Sequence, residues 1–515
     1  MTVDTGATLT IGAGTSVQCG TLTLAANSTI APQVSSATSY GQIKSTGLVT
    51  VDPASKITMN VGEYIASGTQ FKIIDAGGTA VTIPGTISSS SYAVQFTANG
   101  KADLILIANR TADAYAKVSS NSNTDAVGAA LDQAAANGPN GDMLTVLNTL
   151  DIMGSAAEVS SAIETMEPDV SSGVTQGSRI LTGNSFRMIS NRLGGARNMG
   201  AVGSGMSSGD MTNGMGVWMQ GLGSNMKQGE RKGIEGFVSN LWGTMIGVDK
   251  VADNHFRLGF AGGYGWAGVR SKQPGSPSDN INSFQGVIYG SYDSLDLVKA
   301  RQSGKKSNEA VRSQVENSWY VDGMFAFTQN NYDSRREIWL GTMKRVAKAD
   351  HGAQQYSTNF EAGYKFVFEN TKALEVTPFA SLGYNYLYMN RYKEDGANAL
   401  NLSVRGEGFH QLEQGLGLKF AYPFVSERAG TFIPSIKGAW LYDYIGDRFE
   451  TTASFAGGGS SFNTVGAKPA QSGMLFGAEL AFLNKGNMTV TGNWDIEIKD
   501  QFMSNTYYGT VRYDF

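Results

Sequence analysis

The chain has 515 residues, long enough for two or more domains. Its 65 glycines against 11 prolines, with abundant aromatics and only 16% charged residues, favour many strands packed through glycine over a disordered or coiled-coil chain. A net charge of -4 with no basic run leaves no electrostatic footprint for a nucleic-acid partner. The lone Cys19 excludes an internal disulfide and a cysteine-based zinc site, and reads as a small apolar core residue. No stretch of about 20 apolar residues is present for a transmembrane helix, although barrel strands hide their apolar face in alternation.

In chain order, "MTVDTGATLT" has neither the basic start nor the apolar run of a signal peptide. It reads as a cut into a repeat, so the chain is expected to be part of a longer exported protein. Residues 1 to 110 carry short alternating runs, "ATLTIG", "GTLTLAA", "LVTVDP" and "KITMNVG", each four to six residues and punctuated by Gly, Asn or Pro. Such runs predict the end of a parallel β-helix, with a β-sandwich as the alternative.

Between 111 and 200 the period becomes helical. "TDAVGAALDQAAA" offers a cap at Thr124 or Asp125, "DMLTVLNTL" one at Asp142, and "SAAEVSSAIETME" a capping box of Ser155 with Glu158, stopping at Pro168. The next stretch, about 173–197, carries Arg179, Arg187, Arg192 and Arg197 around a thin apolar stripe of Ile180, Phe186, Ile189 and Leu193. Such a helix suits a narrow, polar, water-filled surrounding better than an apolar core; the alternative is an ordinary exposed helix.

From 216 to 515 one strand follows another, in twelve segments: near 216–228, 241–252, 256–270, 282–294, 317–330, 354–369, 374–390, 405–422, 430–446, 472–484, 487–500 and 503–515. Most exceed the roughly nine to eleven residues with which a tilted strand crosses a bilayer, whereas ordinary strands average about five or six. Short turns follow even-numbered segments and long polar loops, such as 390–404 and 447–471, follow odd ones. This is the asymmetry of an outer-membrane barrel. The charged insert at about 295–316 breaks the rule and is expected to be an ordered periplasmic helix, or else a missed strand pair. In "MTVTGNWDIEIKD", Asp495 and Glu497 fall on the polar face, as Glu361 does in the sixth segment. These three are candidate lumen carboxylates for the helix arginines.

The order of these parts resembles the C-terminal half of a classical monomeric autotransporter of type V secretion, a layout shared with rickettsial surface antigens. "VGEYIASGTQFKIIDAGG" with "YAVQFTANGKADLILIANR" resembles the closing, fold-promoting coils of a passenger. "GVWMQGLGSNMKQ", "GTMIGVDKV", "LGFAGGYGWAG" and "LEVTPFASLGYNYLY" resemble the first, second, third and a middle barrel strand.

The resemblance implies an all-β chain with a short helical linker: a β-helix end, a helix through the pore and a 12-stranded antiparallel transmembrane barrel. It implies residence in the outer membrane, a passenger delivered to the cell surface, and residues 63 to 107 as the nucleating end of that passenger. It makes the terminal strand, with Tyr507, Gly509, Tyr513 and Phe515, a signal for the outer-membrane assembly machinery, though Thr510 stands where the family's glycine usually lies. The implied partners are outer-membrane lipid, that machinery, periplasmic chaperones and, through an adhesive or virulence passenger, a host-cell receptor. The implied state is a monomer. No cofactor, metal or catalytic residue is expected.

The rival readings are a plugged porin and a surface enzyme whose catalytic part lies in the passenger. Asp350 and His351, neighbours on a strand, make a poor dyad, so His351 is expected to be a solvated loop histidine. Intrabarrel self-cleavage at an asparagine pair finds little support: Ser122 separates Asn121 from Asn123, and Asn330–Asn331 falls in a barrel strand or loop.

Overall fold

The computed structural model describes residues 1–99, 102–198, 215–294, 317–368, 374–426, 430–484 and 488–513. The expected insert at 295–316 lies outside them, as does Phe515.

Residues 2–110 wind into coils whose strands stack in three parallel sheets. One holds Thr2–Val3, Leu22–Leu24 and Val49–Val51; the second Thr8–Ile11, Thr29–Val34, Lys56–Val61 and Thr86–Ser89; the third Ser16–Cys19, Gln42–Ser45 and Gln70–Asp75. Every second side chain points inward, which is why alternating runs suffice to build a core of Ile11, Leu24, Ile30, Ile43, Ile57, Met59 and Phe71. An antiparallel hairpin, Val94–Asn99 with Leu104–Arg110, pairs with Gln70–Asp75 and closes the third sheet. This is the β-helix end. Cys19 sits half-buried at its edge rather than inside.

Helices α1 (Ser122–Ala136), α2 (Gly141–Asp151), α3 (Ala156–Glu164) and α4 (Gly173–Asn198) follow. The α1 cap is Asn121, whose carboxamide accepts from the Asn123 and Thr124 amides, not Thr124 or Asp125. The residue at the α2 cap position is Asn140, which leaves Asp142 in the first turn. Ser155 does accept from the Glu158 amide, while the Glu158 carboxylate reaches back to the Gly154 amide.

Twelve antiparallel strands then form one closed barrel. They are Met215–Gln228, Phe237–Val251, Phe256–Ser271, Ser278–Asp293, Ser318–Leu340, Met343–Phe368, Leu374–Met389, Glu407–Ala421, Gly430–Asp443, Ser472–Asn484, Met488–Lys499 and Phe502–Tyr513. Phe424–Ser426 continues the eighth strand against the ninth in the same register. The barrel closes where Gly221–Gln228 pairs with Phe502–Gly509. A belt of exposed apolar side chains runs around it, bounded at one end by the cross-strand pair Trp242 and Trp266 and at the other by Phe256 with Tyr292 and by Trp319 with Tyr364. From Trp266 to Phe256 the belt is roughly 25 Å tall at the usual strand rise and tilt. That matches the hydrocarbon layer.

The fifth and sixth strands, 23 and 26 residues, outrun the expected 317–330 and 354–369. Their hairpin rises beyond the belt and packs Ile338, Leu340 and Ala347 against α1–α3. The loops after the seventh and ninth strands join it through a small sheet of Tyr392–Lys393, Leu402–Val404, Glu450–Phe455 and Phe462–Val465. The three helices and these loops share one core, in which Leu131, Leu147, Leu150 and Ile163 meet Leu400, Leu402, Phe455 and Phe462. We call this unit the cap. Gly459 (φ +96°) lies so close to α1 that a Cβ there would meet the Ala130 carbonyl at 2.3 Å.

Candidate functional site

The site is the barrel lumen with α4 inside it. Along α4, Ile180, Leu181, Phe186, Met188, Ile189 and Leu193 are buried. They do not face water, as the polar composition of the helix led us to expect. They lie against an apolar wall built by lumen-facing residues of the first to fifth strands, among them Leu222, Met245, Val269, Ile281 and Ala326. Glycine sets the approach: a Cβ on Gly265 would stand 2.7 Å from Leu181 Cδ2, and one on Gly173 2.5 Å from Val269 Cγ1.

The opposite face of α4 meets the polar half of the lumen. A cavity of about 240 Å³ lies there, lined by Arg179, Arg187, Glu361, Lys419, Glu479 and Asp495 among others. Three cations converge on two carboxylates. Arg187 donates to Glu497 at 2.7 Å, Arg179 approaches Glu497 at 3.5 Å and Glu413 at 4.0 Å, and Lys499 bridges Glu413 (2.5 Å) and Glu497 (3.4 Å). Glu497 is fully buried, so its charge depends on these partners. Nearer the opposite end, the Arg192 guanidinium holds Asp249 through both Nε and Nη2 at 3.2 Å. Asp249 also accepts from Arg257 and from the Tyr289 hydroxyl, which in turn accepts from the Trp218 indole.

The other expected residues are placed differently. Among the described residues the ion pair of Asp495 is with Lys437 at 3.0 Å, and Glu361 accepts from the Tyr320 hydroxyl at 2.9 Å. Lys437, which sequence reading missed, sits on the ninth strand and Asp495 on the eleventh. They meet over Gly477 of the tenth, where a Cβ would come within 2.4 Å of both side chains. Of the terminal-strand residues, Tyr507 is exposed on the outer face and Gly509 pairs with Gly221 across the closure. Tyr508 turns inward and donates to Asn184 of α4. The backbones of Arg197 and Tyr513 lie in α4 and the last strand; their side chains are outside the described set.

His351 is not a solvated loop histidine. It stacks between Tyr332 and Tyr392 in the upper sixth strand, with Nε2 3.1 Å from Ser334 Oγ.

The cap holds the lumen mouth. Arg345 from the hairpin clasps Asp142 of α2 with two 2.7 Å bonds, and Arg336 joins Glu394 and the Thr165 carbonyl. Gln273, between the third and fourth strands, binds Val170, Pro168 and Glu167 where the chain enters the barrel. Burial pushes the Glu167 carboxyl up to about 7 and the Asp132 carboxyl up to about 6, against hydrogen bonds to each that favour the charged form. The stem is fastened in turn. Tyr64 donates from its amide to Asn148 and from its hydroxyl to the Ala135 carbonyl, and Arg110 makes two bonds to the buried Asp151.

A closed, lipid-belted barrel whose lumen is occupied by a helix immediately upstream in the same chain defines a membrane translocator. Residues 217–495 match the family described as the autotransporter beta-domain, and the chain belongs to that family.

It is similar to Outer membrane protein B of Rickettsia japonica, at 23% identity over 81% of this chain and 25% of that protein. It also resembles Outer membrane protein A of Rickettsia conorii, at 25% identity over 44% of this chain and 10% of that one. A third relative is the putative surface-exposed virulence protein BigA of Salmonella typhimurium, at 25% identity over 75% of this chain and 17% of that one. The chain thus spans a quarter or less of the length of these relatives. Among solved structures, the translocator domain of the autotransporter NalP from Neisseria meningitidis matches with a TM-score of 0.47 at 14% identity, covering 67% of this chain and 99% of that one.

By its family, the chain is a type V autotransporter translocation unit seated in the outer membrane, with its passenger on the cell surface.

Proposed function

We propose that this unit delivers an adhesive or virulence passenger, of which residues 1–110 are the fold-promoting end and 63–107 the nucleating segment. The carrying observation is the unbroken order of stem, cap, lumen helix and barrel. A chain drawn outward through the lumen would fold its closing coils first, and each coil added to them makes return unfavourable. The terminal residues Tyr507, Gly509, Tyr513 and Phe515 are the signal for the barrel assembly machinery, with periplasmic chaperones guarding the chain beforehand, and the unit works as a monomer. A host-cell receptor is the passenger's partner; the names of the rickettsial and Salmonella relatives support a surface role. An enzymatic passenger is the competing reading.

The test uses cells expressing the chain behind a signal peptide, with an epitope tag before residue 1. Protease added to intact cells should remove the tag and leave a membrane-protected band whose mobility shifts on boiling. A tag-protected product of unchanged mobility would overturn the proposal.

A further inference from the structure

Register lines up cations that are scattered in sequence. Lys227 pairs with Val238, Val238 with Arg270, Arg270 with Ser278, Ser278 with Arg335 and Arg335 with Lys348, so that all six lie on one rung across the first six strands. Residues on one rung point to the same face, and here it is the outer one: Lys227, Arg270, Arg335 and Lys348 are all exposed. Trp242 and Trp266 lie on the rung four residues lower, so the cations stand roughly 10 Å above the aromatic girdle along the membrane normal. Lys and Arg stems are long enough to bring their charges back to headgroup level.

The row is not uniform. Arg335 pairs with Glu337 at 3.0 Å, and two residues lower on its own and the adjoining strand stand Asp333 and Asp350. The other end differs. On the rung two residues below Lys227 and Arg270 stand Asn225, Asn240 and Asn280, amides without charge. Among the described residues neither cation is ion-paired. Of the charged residues in the loop between the first two strands, Glu230, Arg231, Lys232 and Glu235, Arg231 is committed to Asp500. Lys272 adds a further exposed cation at the next outward position and donates to the Gln228 carbonyl.

We infer that Lys227 and Arg270, flanked by Lys272 and by the amides of Asn225, Asn240 and Asn280, form a binding site for the phosphate groups of the outer-leaflet glycolipid. Two unpaired cations about two strand spacings apart, with amide donors beneath them, fit a phosphorylated headgroup, and their height fits one held in the bilayer. The inference rests on the outer-membrane placement and is independent of what the passenger does.

The experiment titrates the full chain, refolded in zwitterionic micelles, with lipid A, with dephosphorylated lipid A and with inorganic phosphate, reading the barrel's unfolding temperature. Lipid A should raise it saturably, and the other two should not. The double variant Lys227→Gln/Arg270→Gln should bind lipid A about tenfold more weakly while unfolding at the unliganded temperature of the parent. Arg335→Gln/Lys348→Gln should stay within about twofold of the parent, because Arg335 is paired with Glu337 and Asp333 and Asp350 lie on the rung beneath the two cations.

Equal stabilisation by the dephosphorylated lipid would overturn the proposal without any variant. So would parental affinity in the first double variant, or a full effect from free phosphate. Loss of the mobility shift on boiling in the parent would instead strike at the barrel assignment, a distinguishable failure.

Discussion

Arg187 of the lumen helix donates to Glu497 of the eleventh strand at 2.7 Å, across 310 residues of chain. The pair is buried on the carboxylate side, so what matters is less the attraction it supplies than the penalty for leaving either charge alone.

Replacing Glu497 with Gln removes the ion pair of Arg187 and leaves Arg179 and Lys499 sharing Glu413. Removing one partner of a buried pair typically costs about 3–5 kcal/mol. We expect α4 to become protease-sensitive in detergent and the pore current to rise several-fold in planar bilayers. An unchanged digestion pattern would show that apolar packing alone retains the helix.

The opposite face is tested by overpacking. Gly265→Leu would drive a side chain into Leu181, which already stands 2.7 Å from the site of a Cβ. Such insertions cost about 1–3 kcal/mol. The expected outcome is a lower temperature for the mobility shift, with the barrel still formed, measured by heating before electrophoresis.

Acid should tighten the cap. Glu167 and Asp132 carry pKa values raised by burial, to about 7 and about 6, above their unfolded values. Each therefore contributes stability that is present below the unfolded pKa and lost as pH rises through the folded one. Burial works against Asp142, but Arg345 and the Ala399 amide hold it below the usual range, so its contribution fails only under stronger acid. Hydrogen exchange in α1–α3 should be slower at pH 5 than at pH 8 after correction for intrinsic rates, by about tenfold or more. Glu167→Gln should flatten most of that difference.

Arg336→Ala should release the cap and spare the barrel. The guanidinium is buried and serves both Glu394 and the Thr165 carbonyl, so about 3–5 kcal/mol is at stake. Limited proteolysis should then cut within residues 111–170 of the folded protein at an unchanged heat-modification temperature.

The membrane strands were legible because two-fold alternation marks a wall wet on one side and lipid-covered on the other. The terminal stretch and "MTVTGNWDIEIKD" carry that signal plainly. It failed where the surroundings change: residues 331–353 hold many charges, yet Ile338, Leu340 and Ala347 turn inward to the cap and extend the fifth and sixth strands. The arginine-bearing helix was readable from its thin stripe, but not what the stripe touches, because alternation marks Val269 and Ile281 as apolar without saying which side is the lumen. The Lys437–Asp495 pair was hidden for a different reason. It spans a strand, and only the register reveals that Gly477 leaves the gap. The outer cation row is likewise invisible in a chain without a basic run.

The fastening of the stem has a mechanical reading. If the passenger grips another cell while the bacterium is dragged away, tension enters through the β-helix, passes the Arg110–Asp151 and Tyr64–Asn148 links into the helices, and leaves through Arg345 and Arg336 into the fifth and sixth strands. Those two strands are paired with each other from Ser318 to Leu340, and lower down, over Tyr320–Arg335 and Ala353–Phe368, with the fourth and seventh strands of the wall as well. Load is thus spread sideways over many bonds stressed together, and the lumen helix need not carry it alone.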